Sequence, residues 1–184
     1  SCKKISYLFP RAHAVAYVMM AFRIAWFKVY HPLAFYAAYF SIRAKAFDLR
    51  IMTGDLKTQL TEFNRIKALD RAASPKDKDL MSALEVSMEM YQRGYRFINV
   101  DIQHSEARRF SIKDGALLPP FLAIDSLGET VADAIVEERN ERPFTSLKDL
   151  QRRCKVSNTI IDLMKDLKCC GELPEDEQMS LFGA

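Results

Sequence analysis

Pro119–Leu150, PPFLAIDSLGETVADAIVEERNERPFTSLKDL, is the stretch on which the reading of this chain turns. Apolar Phe121, Leu122 and Ile124 run into a tight polar turn, Asp125-Ser126-Leu127-Gly128. Val131, Ala132, Ile135 and Val136 then recur at helical spacing, so a helix with one apolar face follows the turn. Two apolar elements joined by so short a turn fold back on each other, and small turn residues let a ligand come close to the main chain. The helix start adds unpaired N–H groups and the positive end of the helix dipole, which together attract anions.

This is the pattern of a helix-hairpin-helix, which holds a nucleic acid by its phosphates. Main-chain contacts of that kind read no base edges, so binding is blind to sequence and sensitive to salt. The residues expected at the backbone are Ser126, Leu127, Gly128, Glu129 and Thr130. Ser126 stands where a glycine is usual; it can still donate to a phosphate, but a positive φ there is harder for serine to adopt. A plain helix-turn-helix connection remains the alternative for the same residues.

Working outward toward the start, AHAVAYVMMAFRIAWFKVY, residues 12–30, reads as one helix apolar almost all round, hence a core helix whose domain extends past this chain. Its apolar run Ala14–Ala25 contains Arg23 and falls short of the ~20 residues that span a bilayer. His31-Pro32 opens a second helix, LAFYAAYFSIRAKAF, in which Phe35, Tyr36, Tyr39 and Phe40 are read as core aromatics, with base stacking the alternative. Leu56, Leu60, Phe63, Ile66 and Leu69 mark an amphipathic helix over about 54–73. Ser74-Pro75-Lys76-Asp77 is a strong helix start, and Gly94 a left-handed stop. Arg96–Ile102 and Arg109–Ile112 read as two short strands, the second closed by Lys113-Asp114-Gly115. Toward the end, short helices are expected around Ser146–Arg153 and Ser157–Leu167, followed by an acidic tail, ELPEDEQMSLFGA.

The 184 residues carry a net charge of only +3, with 49% hydrophobic and 28% charged residues, the balance of a globular chain. Residues 1–50 hold eight Lys or Arg against Asp48 alone, residues 51–170 balance at 19 against 19, and 171–184 hold four acids. A basic front suggests a phosphate-rich partner, though a solvated basic face looks the same. Cys2, Cys154, Cys169 and Cys170 lack zinc spacing and read as reduced thiols, which with no signal peptide in view points to the cytoplasm. No P-loop, Ser/His/Asp or Cys/His arrangement is visible, and His13, His31 and His104 are isolated. Asp77-Lys78-Asp79 is a pair of helix-start charges rather than a metal site. No catalytic residue and no metal ligand is therefore assigned. In the tail, Gln178-Met179-Ser180-Leu181-Phe182 has the form Q-x-x-L-F, with exposed Leu181 and Phe182 that need a partner's apolar cleft.

Phe9-Pro10-Arg11-Ala12-His13-Ala14, His31-Pro32 and Tyr36-Ala37-Ala38-Tyr39-Phe40 resemble the fingers of bacterial replicative DNA polymerase III, alpha subunit, of the Gram-positive PolC type. SPKDKDLMSALEVSMEMYQRGYRF, the LLPPF run, the hairpin and the terminal QMSLF continue the resemblance. Arg11 stands where Lys is usual, and Ser126 where Gly is. The resemblance implies a C-terminal piece of a DNA-directed DNA polymerase, mainly α with a small β-hairpin. Its parts would be the end of the fingers (1–73), a helix with short strands (74–115), a tandem helix-hairpin-helix domain (116–171) and a flexible clamp-binding tail (172–184). A second, degenerate hairpin near Ser157 and Asn158 would also meet the DNA backbone. Arg11, His13 and Tyr17 would lie near the incoming nucleotide, and Gln178–Phe182 would enter the sliding clamp. The implied partners are duplex primer-template DNA, the clamp and the remainder of the polymerase, with no membrane. The metal-binding palm carboxylates, their Mg2+ and the exonuclease would lie elsewhere, so the piece alone is expected to be inactive. The alternative is a stand-alone, non-catalytic adaptor for DNA and clamp.

Overall fold

The computed structural model describes residues 11–44 and 46–176. Its elements in order are α1 (Arg11–Tyr30), α2 (Pro32–Ile42), α3 (Leu49–Met52), α4 (Leu56–Leu69), α5 (Pro75–Gln92), β1 (Ser111–Lys113), β2 (Ala116–Leu118), α6 (Glu129–Glu141), α7 (Leu147–Cys154) and α8 (Asn158–Asp166). The fold is mainly α with one two-stranded antiparallel hairpin.

Local chemistry sets most boundaries. Ser74 accepts from the Asp77 N–H while the Asp77 carboxylate accepts from the Ser74 N–H, a capping box that fixes the start of α5. Such caps are worth about 1 kcal/mol each. Gly94 ends that helix at φ +86. Lys113 pairs with Ala116 across Asp114 and Gly115, whose φ values of +51 and +74 suit a two-residue type I′ turn.

Two apolar clusters form the core. One gathers Tyr36 and Phe40 of α2, Ile66 of α4, Leu80, Leu84 and Met90 of α5, and Phe97 and Leu117. Of the α2 aromatics, Tyr36 and Phe40 are thus core residues, with Phe35 and Tyr39 half-buried against the cluster, and Phe40, Phe47, Phe97 and Phe110 pack ring against ring. The other cluster joins Phe121, Ile124, Leu127, Ile135, Leu150, Val156, Ile161 and Met164, and with them Val100 and Ile102.

Three expectations change. Arg96–Ile102 is no strand: it makes a single parallel bridge, Phe97 to Leu117. Phe97 belongs to the first cluster and Val100 and Ile102 to the second. The segment therefore crosses between two cores, which a strand with one regular buried face would not do. Its neighbour is closer to expectation, with β1 at Ser111–Lys113 and β2 completing the hairpin. The third concerns α1, read as a core helix whose domain extends past this chain. None of its residues is buried, and Phe22 is 72% exposed. Among the described residues its C-terminal end is tied down, by Lys28 to Glu89 at 2.6 Å and by Arg93 donating to the Lys28 carbonyl at 2.9 Å. The pattern of α1 reveals an apolar surface but not what covers it, and the described residues do not cover it. At 20 residues α1 is also long and apolar enough by length and composition to cross a membrane, unlike the shorter run read from sequence; Arg23 and Lys28 lie within it.

Candidate nucleic-acid interface

Ahead of the first turn the chain makes one 3-10 turn, Phe121–Ala123. It is held by the Phe121 N–H to the Glu106 carbonyl (2.9 Å) and the Leu122 N–H to the Ala107 carbonyl (3.1 Å). The Ser105 hydroxyl donates to the Pro119 carbonyl at 2.8 Å, and Arg139 donates to the carbonyls of Ile102 and Ser105 while lying over the Phe121 ring. Burial tends to lower the pKa of this guanidinium, and Glu106 and Asp101 oppose that.

In the turn itself Ser126 takes φ +63, Leu127 is buried, and Gly128 is the N-cap of α6 at φ −75. The left-handed demand thus falls on Ser126 and not on Gly128. No side chain caps α6, and a Cβ at Gly128 would meet nothing within 4 Å. The N–H groups of the first α6 turn, at Glu129 and Thr130, therefore open onto solvent, where an anion can approach. Glu129 and Thr130 are exposed. Arg108 binds both Glu129 (2.5 Å) and Asp133, and so offsets two acids beside the turn.

The second turn repeats this build. Lys155 takes φ +54, Val156 is buried, and Ser157 is the N-cap of α8. Leu127 and Val156 enter the same cluster, so one core presents both turns. The helix starts differ. Ser157 accepts from the Ile160 N–H at 3.4 Å, which occupies one donor that an anion would otherwise use. Asn158 accepts from the Gln151 amide at 2.5 Å and is exposed.

Between the turns lies a network that sequence reasoning missed. The Asp149 carboxylate, buried at the start of α7, receives Arg142 (3.4 Å) and Arg152 (2.8 Å) on Oδ1, and the Thr145 N–H and Arg153 (each 3.3 Å) on Oδ2. Burial alone would raise its pKa; the Thr145 N–H and the Arg152 and Arg153 guanidiniums outweigh that and hold it below the usual carboxylate value. The signal was present in the run of cations over residues 142–155, which the even balance of residues 51–170 averages away.

Arg11, His13 and Tyr17 share the first two turns of α1, where the His13 and Tyr17 rings meet at 4.5 Å, on a different element from either hairpin turn. Gln178, Met179, Ser180, Leu181 and Phe182 lie outside the described residues, as does Cys2. Pro174 and Glu175, counted with the tail by sequence, run along α7: their carbonyls accept from the N–H groups of Leu147 and Lys148. Cys154, Cys169 and Cys170 are buried free thiols, and burial pushes Cys154 and Cys169 up to about 12. His104 is a turn residue beside Asp101, and Asp77 a cap. Among the described residues no group of His, Cys, Asp or Glu could hold a metal.

The helix-hairpin-helix motif family matches residues 94–178, which contain both turns. The chain is 48% identical over 182 residues to the DNA polymerase III PolC-type of Caldanaerobacter subterraneus subsp. tengcongensis. It is 46% and 47% identical to the proteins of that name from Streptococcus pyogenes and Streptococcus suis. Each alignment covers 99% of this chain and 13% of the relative's length.

Proposed function

This chain belongs to the PolC-type DNA polymerase III family, as a segment spanning 13% of its curated relatives' length, and we propose that it is the duplex-gripping and clamp-tethering end of such a polymerase. The observation that carries the first half is the pair of hairpin turns with the same backbone sequence held by one core, Ser126-Leu127-Gly128 and Lys155-Val156-Ser157, each a left-handed residue, a buried apolar residue and a helix N-cap. Each ends in a helix start whose N–H groups suit a phosphate, so Ser126 to Thr130, Ser157 and Asn158 hold the backbones of primer-template DNA without reading sequence. Residues 1–73 form the end of the fingers, with Arg11, His13 and Tyr17 toward the nucleotide, and 116–171 the DNA-binding domain.

Gln178–Phe182 would tie the enzyme to the sliding clamp and so raise the effective concentration of polymerase at the primer end. The metal-binding carboxylates and Mg2+ belong to another part of the polymerase, which works in the cytoplasm. The exposed apolar surface of α1 favours a piece of a larger protein over a stand-alone adaptor, since an adaptor would leave it in water.

Two assays test the reading. Primer extension with the chain alone and Mg2+ yields no incorporation; templated synthesis would place the catalytic carboxylates within this chain. Capture by an immobilised clamp is lost when residues 178–182 are deleted, and retained capture would remove the tail from the account.

A further inference from the structure

The two hairpins sit in opposite electrostatic surroundings. Residues 125–141 carry Asp125, Glu129, Asp133, Glu137, Glu138 and Glu141 against Arg139 alone. Residues 142–155 carry Arg142, Lys148, Arg152, Arg153 and Lys155 against Asp149 alone. Arg108 answers Glu129 and Asp133 at the first hairpin, but Asp125 lies in the turn itself, while Glu137, Glu138 and Glu141 lie toward the far end of α6 and Glu138 pairs with Arg153. The Asp125 carboxylate, within the roughly 10 Å reach of weakly screened electrostatics, disfavours a polyanion there.

The second hairpin has the reverse balance on its α7 side, while α8 carries Asp162 and Asp166 against Lys165. Asp149 is fully buried, yet Arg142 and Arg152 reach the same carboxylate oxygen while remaining 60% and 69% exposed. One buried carboxylate shared by two surface guanidiniums leaves positive charge facing solvent, whereas the Arg153 side chain on the other oxygen is only 10% exposed and paired with Glu138 as well. Lys155, in the turn itself, is exposed and makes no ion pair among the described residues.

We infer that the α7–α8 hairpin, through Arg142, Arg152 and Lys155, is the principal phosphate contact on duplex DNA, and that the hairpin before α6 is the lesser one. The inference rests on the duplex-DNA reading above and assigns the grip within it. Asp149 is a positioning residue: it fixes the planes of two guanidiniums so that their outer N–H groups face the phosphodiester backbone, an arrangement suited to bidentate contacts.

The test is fluorescence anisotropy of the full chain with a labelled blunt duplex over a salt series. Each phosphate contact removed lowers the slope of log affinity against log salt by about 0.9. The triple variant R142Q/R152Q/K155Q is expected to lose about two to three units of slope and at least about tenfold in affinity. G128E, which places a carboxylate at the open front of the first hairpin, weakens binding less. K155Q alone, at an exposed site with no ion-pair partner among the described residues, lowers the slope by about one unit and serves if the triple variant fails to fold. A triple variant or K155Q with the parental slope, or a G128E loss larger than that of the triple variant, overturns the inference and leaves the duplex-DNA reading standing. An unmodified chain that does not bind duplex DNA overturns both.

Discussion

Ser126 and Lys155 hold φ of +63 and +54, a conformation that costs an L residue about 1–2 kcal/mol. Both are kept there because the next residue, Leu127 or Val156, must turn into the core while the one after it starts a helix. Ser126→Gly removes the steric part of that cost and gives back some of it in chain entropy, so it is expected to stabilise by about 0.5–1 kcal/mol. In thermal unfolding this is a rise of about 1–4 °C for a chain of this size; a fall would mean that the Ser126 side chain stabilises the turn by more than its strain. The need for a positive φ at 126 was legible from the turn pattern. That Lys155 fills the same place in the second hairpin was not, because a lysine carries no turn signature and its role follows from the buried Val156 beside it.

At the scale of elements, the junction of α6 with α7 depends on Asp149, which lies in the first turn of α7 after the Ser146 cap, receives the Thr145 N–H and binds three arginines. Its pKa is lowered in the folded chain, so the stabilisation it gives is fully present above the unfolded carboxylate value of about 4 and is lost as pH falls through the depressed folded value. Asp149→Asn is expected to cost about 1–3 kcal/mol near neutral pH, judged by hydrogen bonds to charged groups. Denaturant unfolding of both proteins at pH 7 and pH 3 checks the sign: the difference shrinks at the lower pH, and a constant difference would mean that the carboxylate's charge contributes nothing. Helix starts were the most legible elements, since Ser74, Ser146 and Ser157 all cap where the sequence placed them. Arg96–Ile102 was not legible as an irregular crossing, because apolar β-formers read as a strand whether they serve one core or two. The Asp149 network was hidden for a related reason: charge summed over a long window hides two short runs of opposite sign.

At the scale of the whole molecule, the described residues form two apolar clusters and one uncovered helix. The large side chains of α1, among them Val15, Met19, Phe22 and Trp26, face solvent over both sides of the helix. A surface of that kind drives association when no partner covers it. The chain alone is expected to self-associate with rising concentration in sedimentation velocity, and M19K/F22E to shift it toward monomer; an unmodified chain that stays monomeric throughout would show that α1 does not behave as an open apolar face. Sequence alone placed this helix and its apolar character and read it as the core helix of a domain that extends past this chain; the described residues leave it uncovered. Burial depends on neighbours that a helical pattern does not name.

The central claim is that two hairpin turns on one core hold duplex DNA by its phosphates. It is tested most directly by titrating the full chain with two blunt duplexes of equal length and unrelated sequence across a salt series. The account predicts equal affinities for the two duplexes at every salt concentration and a straight, steep fall of log affinity with log salt, at about 0.9 per phosphate held. Affinity that differs between the sequences, or that stays level as salt rises, would contradict it.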